Sequence, residues 1–194
     1  RLPGGSPVGR GRCGRSSTDR VGVKTMRRWA VLVSGRGSNL GALLQANAFG
    51  RVALAVSSRP GVESLRKARR AGVPTLVLEN PVNWAKLAEQ LKRFRVERIF
   101  LAGFMKVLPA EFVKRWRGRI LNVHPSLLPA YPGLKSIERA HADKAAMGVT
   151  VHEVVSEVDR GAVICRKQVF APGRCGMAID EAGSVAQLVR HAGA

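Results

Sequence analysis

Acidic side chains are scarce in this chain, and so are tyrosine, cysteine and long apolar runs. Its 194 residues carry 13 Asp or Glu against 33 Lys or Arg, for a formal net charge of +20. A surface that basic attracts phosphate-bearing partners of every kind. Aromatic residues make up 5% of the chain, with Tyr131 the only tyrosine. That poverty excludes the interleaved stacking platforms of single-strand binders and the aromatic motifs of RNA-recognition domains, so anionic small molecules are expected as partners and nucleic acid is not. Cys13, Cys165 and Cys175 are odd in number and form no Cys-x-x-Cys pair. Free thiols in a reducing cytoplasm are therefore expected, without a zinc site or any other metal. No run of eighteen apolar residues occurs, and the N-terminus carries no apolar segment of signal-peptide type, so the expected location is cytoplasmic, with no membrane partner.

Part of the charge lies in the first residues. Residues 1–29 hold eight Arg or Lys and one Asp, leaving 25 basic and 12 acidic side chains for the rest. Residues 1–25 are Gly, Arg, Ser and Pro without hydrophobic period, too poor in apolar surface to offset chain entropy, and are expected to be a disordered extension. Met26 stands directly before the first apolar run and reads as a natural start. An Arg-rich, acid-poor targeting peptide is the alternative reading of the same stretch.

From Trp29 onward the chain has the pattern of an α/β domain. Trp29–Val33 is a short apolar run expected as the first strand of a parallel sheet. It ends in Ser34-Gly35-Arg36-Gly37-Ser38-Asn39-Leu40, where glycines permit a tight turn and Ser38 is expected to cap a helix running to about Ala48. Strand, glycine loop and helix make an anion-binding arrangement, because backbone N–H groups and the positive end of the helix dipole converge there. A plain tight turn fits the same residues. Strands are expected over 52–57, 74–78 and 98–104, and helices over 61–71, 81–95 and 109–116. Arg66, Lys67, Arg69 and Arg70 form a solvated face, and Trp84, Leu87, Leu91 and Phe94 a core-facing stripe. A short helix over 137–145 leads to a strand over 148–155, a turn at Asp159-Arg160-Gly161 and an antiparallel strand over 162–170.

The richest stretch is Arg119 to Gly133. A buried strand runs into Pro125, which lacks the N–H that a central strand needs. Asn122 and His124 stand at its carboxyl end, and two-residue spacing puts both side chains on one face. A neutral donor beside a titratable one suits a developing oxyanion, and open α/β sheets place ligands at strand ends. A polar strand end that caps local backbone is the other reading of these two residues.

Asn122-x-His124-Pro125-Ser126-Leu127-Leu128-Pro129, followed by Tyr131-Pro132-Gly133-Leu134, resembles the signature of the folate-dependent formyltransferases. The Tyr-Pro-Gly-Leu form is similar to the branch that acts on phosphoribosylglycinamide, and the resemblance spans roughly 28–172. It implies a catalytic domain over 26–172 built as an open, mostly parallel αβα sheet of formyltransferase type, with an antiparallel strand pair toward the C-terminus. The implied activity is transfer of a formyl group from the co-substrate 10-formyltetrahydrofolate to the amine of 5-phosphoribosylglycinamide, in purine synthesis, by a monomer or homodimer. Catalysis would fall to Asn122 and His124 as oxyanion donors and to Asp159, which would favour the charged form of His124 and organise proton transfer. Gly37, Ser38 and Asn39 would hold the substrate phosphate. Met105, Lys106, Val107, Leu108, Asn122, Val155, Ser156, Glu157, Val158 and Asp159 would line the folate site.

The resemblance departs in three places, the first being the segment between Ala140 and Gly148, one residue shorter than usual in the family. Asn83-Trp84-Ala85-Lys86 stands where the family carries a folate-contacting Arg, and Lys86 is not assigned that role. Residues 173–194 do not continue the family pattern and are expected to be a divergent or truncated segment, which puts ribose binding in question. The branch that formylates methionyl-tRNA shares the Asn, His and Leu-Leu-Pro core and is the alternative. A catalytically inactive relative that holds phosphates or nucleic acid is a further one, set apart by the steep salt dependence of nucleic-acid affinity.

Overall fold

The computed structural model describes residues 27–45 and 50–170. The expected extension over 1–25, the expected divergent segment over 173–194 and the expected continuation of the first helix to about Ala48 lie outside the described residues. The elements are, in chain order, β1 (Arg28–Val33), α1 (Ser38–Gln45), β2 (Arg51–Ser57), α2 (Glu63–Arg70), β3 (Thr75–Val77), α3 (Trp84–Arg93), β4 (Arg98–Leu101), α4 (Ala110–Arg115), β5 (Ile120–His124), α5 (Ser136–Ala142), β6 (Met147–Glu153) and β7 (Val163–Phe170). One seven-stranded sheet runs in the order β3-β2-β1-β4-β5-β6-β7. Strands β1 to β5 are parallel, while β5 with β6 and β6 with β7 are antiparallel.

Three layers follow from the alternation of side chains along β1. Trp29, Val31 and Val33 point to the face covered by Leu40 and Leu43 of α1 and Leu65 and Ala68 of α2. Ala30 and Leu32 point to the other face, against Leu87 and Leu91 of α3 and Phe112 and Val113 of α4. Both faces are dry, which is why the central strands read as unbroken apolar runs. The stripe expected on α3 is core: Leu87 and Leu91 are fully buried, and Trp84 and Phe94 pack on the same cluster. On α2 the salt bridges of Glu63 to Arg66 and Arg70 lie on the solvated face. Among the described residues no helix is long and apolar enough to cross a membrane.

Several boundaries differ from expectation, some of them for a local reason. Helix α1 opens at Ser38 itself, so Ser38 is the first helical residue and not its cap. Val62 is still extended, with φ −68° and ψ 150°, so α2 begins at Glu63 rather than at Gly61. The Asn83 side chain accepts from the Lys86 N–H at 2.9 Å and caps α3, which starts at Trp84, three residues after Pro81. Strand β4 stops at Leu101 because Gly103 turns the chain with φ 73°. Strand β3 is three residues long, α4 ends at Arg115, α5 runs from Ser136 to Ala142, and β6 ends at Glu153.

Candidate active site

Strand order reverses between β1 and β4, and the loops that leave their carboxyl ends open the crevice where such sheets take ligands. Ser34 ties this mouth together. Its hydroxyl lies 2.7 Å from that of Ser58, after β2, and accepts from the Met105 N–H at 3.0 Å, after β4. Between Ser34 and α1 the chain turns at Gly37, φ 68°, whose carbonyl receives the Gly41 N–H at 3.0 Å. A Cβ at Gly37 would stand 2.4 Å from the Cβ of Ser64, so the loop and the start of α2 approach as closely as only glycine permits. Ser38 is exposed on the first turn and Asn39 is buried beside it, with Arg36 exposed nearby. The expected anion loop therefore has the required order of strand, glycine turn and helix start.

At the end of β5 the polar residues converge. His124 Nδ1 lies 3.2 Å from Asp159 Oδ2, and Asn122 Nδ2 donates to Asp159 Oδ1 at 3.4 Å. Asp159 reaches them because its backbone is left-handed, φ 55°, in the turn before β7. The Gly133 N–H donates to Asp159 Oδ2 at 2.8 Å, so the loop after Pro125 grips the same carboxylate oxygen that faces His124. Thr150 on β6 fixes that loop at its root, donating to the Ser126 carbonyl at 2.7 Å and accepting from the Leu128 N–H at 3.1 Å.

A fourth residue belongs to this cluster. The antiparallel register sets Asn122 opposite His152 and His124 opposite Thr150. His152 is 2% exposed, and its Nε2 stands 3.1 Å from Asn122 Nδ2 and 3.4 Å from Asp159 Oδ1, while Nδ1 donates to the Glu153 carbonyl at 2.7 Å. Unprotonated, Nε2 accepts from Asn122. A proton there turns the ring into a donor to Asp159. Its sequence signal is the placement of Thr150 and His152 on alternate positions of an otherwise apolar strand.

The charge balance is set by Asp159. Burial acts to raise its pKa, but the hydrogen bonds from His152 and the Gly133 N–H, with the positive charge available at His124, outweigh that effect and hold the carboxyl below its ordinary value. His124 faces an acceptor at each ring nitrogen, Asp159 Oδ2 at Nδ1 and the Tyr131 carbonyl 2.9 Å from Nε2. A neutral ring satisfies one of them and the imidazolium both.

Beside the cluster lies a cleft of about 140 Å³. Of the residues that the resemblance assigns to the folate, Lys106, Val107, Leu108, Asn122, Val155, Ser156, Glu157, Val158 and Asp159 line this cleft, and they are joined by Leu101, Val113, His152 and Val154, which the sequence does not single out. Met105 does not line it. Its side chain is 66% exposed outside the cleft, and only its N–H is engaged, by Ser34. Lys86, at the position where a folate-contacting Arg is absent, pairs with Glu79 and lines no part of the cleft.

Residues 27–173 match the model of the formyl transferase family. Over 165 residues, 78% of this chain, it is 44% identical to the trifunctional purine biosynthetic protein adenosine-3 of Drosophila melanogaster, of which it spans only 12%. It is 37% identical to the phosphoribosylglycinamide formyltransferase of Haemophilus influenzae over 74% of this chain and 73% of that one. Among solved structures, glycinamide ribonucleotide transformylase 1 from Symbiobacterium toebii superposes with a TM-score of 0.75 at 36% identity, covering 86% of this chain and 84% of that one.

Proposed function

The chain belongs to the formyl transferase family, and from that premise we propose that it transfers a formyl group from 10-formyltetrahydrofolate to the amine of 5-phosphoribosylglycinamide. The observation that carries this reading is the placement of Asn122 and Asp159 on the cleft, with His124 3.2 Å from Asp159, two strands from the glycine loop. At a strand spacing of about 4.8 Å, that separation is roughly 10 Å, a span suited to a substrate with a phosphate at one end and an amine at the other. Leu101, Val107, Leu108, Val113, Val154, Val155 and Val158 give the cleft apolar walls, and Asn122 and Asp159 give it polar groups on one side. A flat heterocycle with a hydrogen-bonding edge fits that distribution.

10-Formyltetrahydrofolate, when bound, supplies the electrophilic formyl carbon. The chain's own groups then act on charge and protons. As the amine nitrogen bonds to that carbon, negative charge gathers on the formyl oxygen, and the Asn122 carboxamide and the His124 imidazolium donate to it. In the present arrangement both donors are engaged within the protein, Nε2 by the Tyr131 carbonyl and Nδ2 by His152 and Asp159. The oxyanion competes for those N–H groups as it forms, a tightening that unliganded sites often defer. Asp159 keeps His124 oriented through Nδ1, and the proton lost by the amine passes through this cluster toward the departing folate nitrogen. Gly37, Ser38 and Asn39 hold the phosphate through N–H groups at the start of α1.

Incubating the protein with 10-formyltetrahydrofolate and phosphoribosylglycinamide, with formylmethionyl-tRNA formation measured in parallel, tests the reading. Tetrahydrofolate should accumulate with the sugar phosphate as acceptor. Turnover confined to methionyl-tRNA, or none with either acceptor, would refute it.

A further inference from the structure

The loop that supplies Tyr131 and Gly133 to the site is itself held from outside. Tyr131 has φ 54°, a region that a bulky L-residue rarely adopts. Its hydroxyl donates to Asp143 Oδ2 at 2.9 Å, just past the end of α5. One turn earlier on the same helix, the Arg139 guanidinium donates to the Pro132 carbonyl and sits 5.8 Å from the Tyr131 ring centroid. Arg139 and Asp143 are exposed, and neither lines the cleft. The hydrogen bond to Asp143 holds the Tyr131 phenol in its protonated, donating form, above its ordinary pKa.

These contacts end on the catalytic cluster by two routes. The Tyr131 carbonyl meets His124 Nε2 at 2.9 Å, and two residues on the Gly133 N–H meets Asp159 Oδ2 at 2.8 Å. A loop whose backbone is in a disfavoured conformation keeps it only while its surroundings over-determine it. We propose that Asp143 and Arg139 are positioning residues, which clasp the Tyr131-Pro132-Gly133 loop from the solvent side and thereby fix His124 and Asp159 in the geometry that the reaction needs. The proposal rests on the formyl-transfer reading for its kinetic consequence, and on the loop contacts alone for its structural one. Asp143 and Arg139 act through the loop and touch no substrate, so their loss lowers turnover without weakening substrate binding.

The test uses the full chain with Tyr131→Phe, Asp143→Ala, Asp143→Asn and the double variant Tyr131→Phe with Asp143→Ala. Tyr131→Phe and Asp143→Ala should each lower kcat about 3- to 10-fold, the range for one net hydrogen bond, with KM for both substrates unchanged. The double variant should be no slower than the single ones, because both remove the same bond. Asp143→Asn keeps an acceptor oxygen and should retain kcat. The imidazole ¹⁵N resonance of His124 Nε2, recorded without substrate, should move in Tyr131→Phe and Asp143→Ala and stay in Asp143→Asn. Unchanged kcat, a parallel rise in KM, or a faster enzyme, which would make the loop a restraint, each overturns the proposal. If the unaltered chain transfers no formyl group, the functional reading fails, and the His124 resonance alone decides: no movement in Tyr131→Phe overturns the clasp.

Discussion

His124 and Asp159 meet across 35 residues of sequence through Nδ1 and Oδ2, 3.2 Å apart, with both side chains 8% exposed. The carboxylate is held below its ordinary value near 3.8. A depressed folded-state pKa contributes stability that is present above the unfolded value and lost as pH falls through the folded one. Asp159 therefore adds an acid-labile share of stability, present above about pH 4 and withdrawn below it. Asp159→Asn should lower the melting temperature at neutral pH and flatten its fall between roughly pH 5 and pH 2. Parallel melting curves of variant and parent across that range would contradict the linkage.

Asn122→Ala and His124→Ala should each lower kcat by roughly 10²- to 10³-fold, the usual loss for one oxyanion donor. Far-ultraviolet circular dichroism checks that the fold survives. Near-normal turnover in both variants would remove the oxyanion role from this strand end.

His152→Phe keeps a flat aromatic ring, slightly larger than the original, and removes the nitrogen facing Asn122 Nδ2 and Asp159 Oδ1. The carboxamide then loses its shorter contact and turns more freely about the Asp159 bond. Turnover should fall about tenfold, or about 1.4 kcal/mol, with KM for the folate little changed. An equal loss in stability and none in kcat would show a purely structural histidine.

Gly37→Ala should destabilise the protein by about 1–3 kcal/mol, since the position is left-handed and the new methyl meets the start of α2. Adding Ser64→Gly should recover only part of the melting temperature, because Ser64 Cα itself lies 2.7 Å from the added carbon. Full recovery would mean that the side chain alone opposes the loop. The same contact makes Gly37 unsuitable for isolating phosphate binding, and Ser38 on the exposed first turn serves that purpose better.

Where local chemistry decides, sequence pattern and structure agree. The apolar runs around Ala30 and Phe100 are buried strands, Pro125 ends β5, and Asn122 and His124 stand at its carboxyl end. The αβα layering and the antiparallel pair follow from the same periodicities. Features that depend on distant partners are not legible in this way. The alternation of Thr150 and His152 marks a polar face on β6, but only the β5–β6 register shows that the neighbour of His152 is Asn122. The demand for glycine at position 37 comes from Ser64 on another helix. Met105 is expected in the folate site with its neighbours, yet it does not line the cleft, and its N–H is bound instead by Ser34.

Strands β1 to β3 occupy one side of the sheet and β4 to β7 the other, so each half is an unbroken block of chain, and the two join along the β1–β4 pairing from Trp29–Arg98 to Leu32–Leu101. Severing the chain in the exposed turn near Asn80 would leave the glycine loop on one fragment and the Asn122, His124, His152 and Asp159 cluster on the other. A ligand that spans the crevice would touch both pieces at once, so fragment complementation becomes a direct gauge of whether one molecule engages both ends of the site.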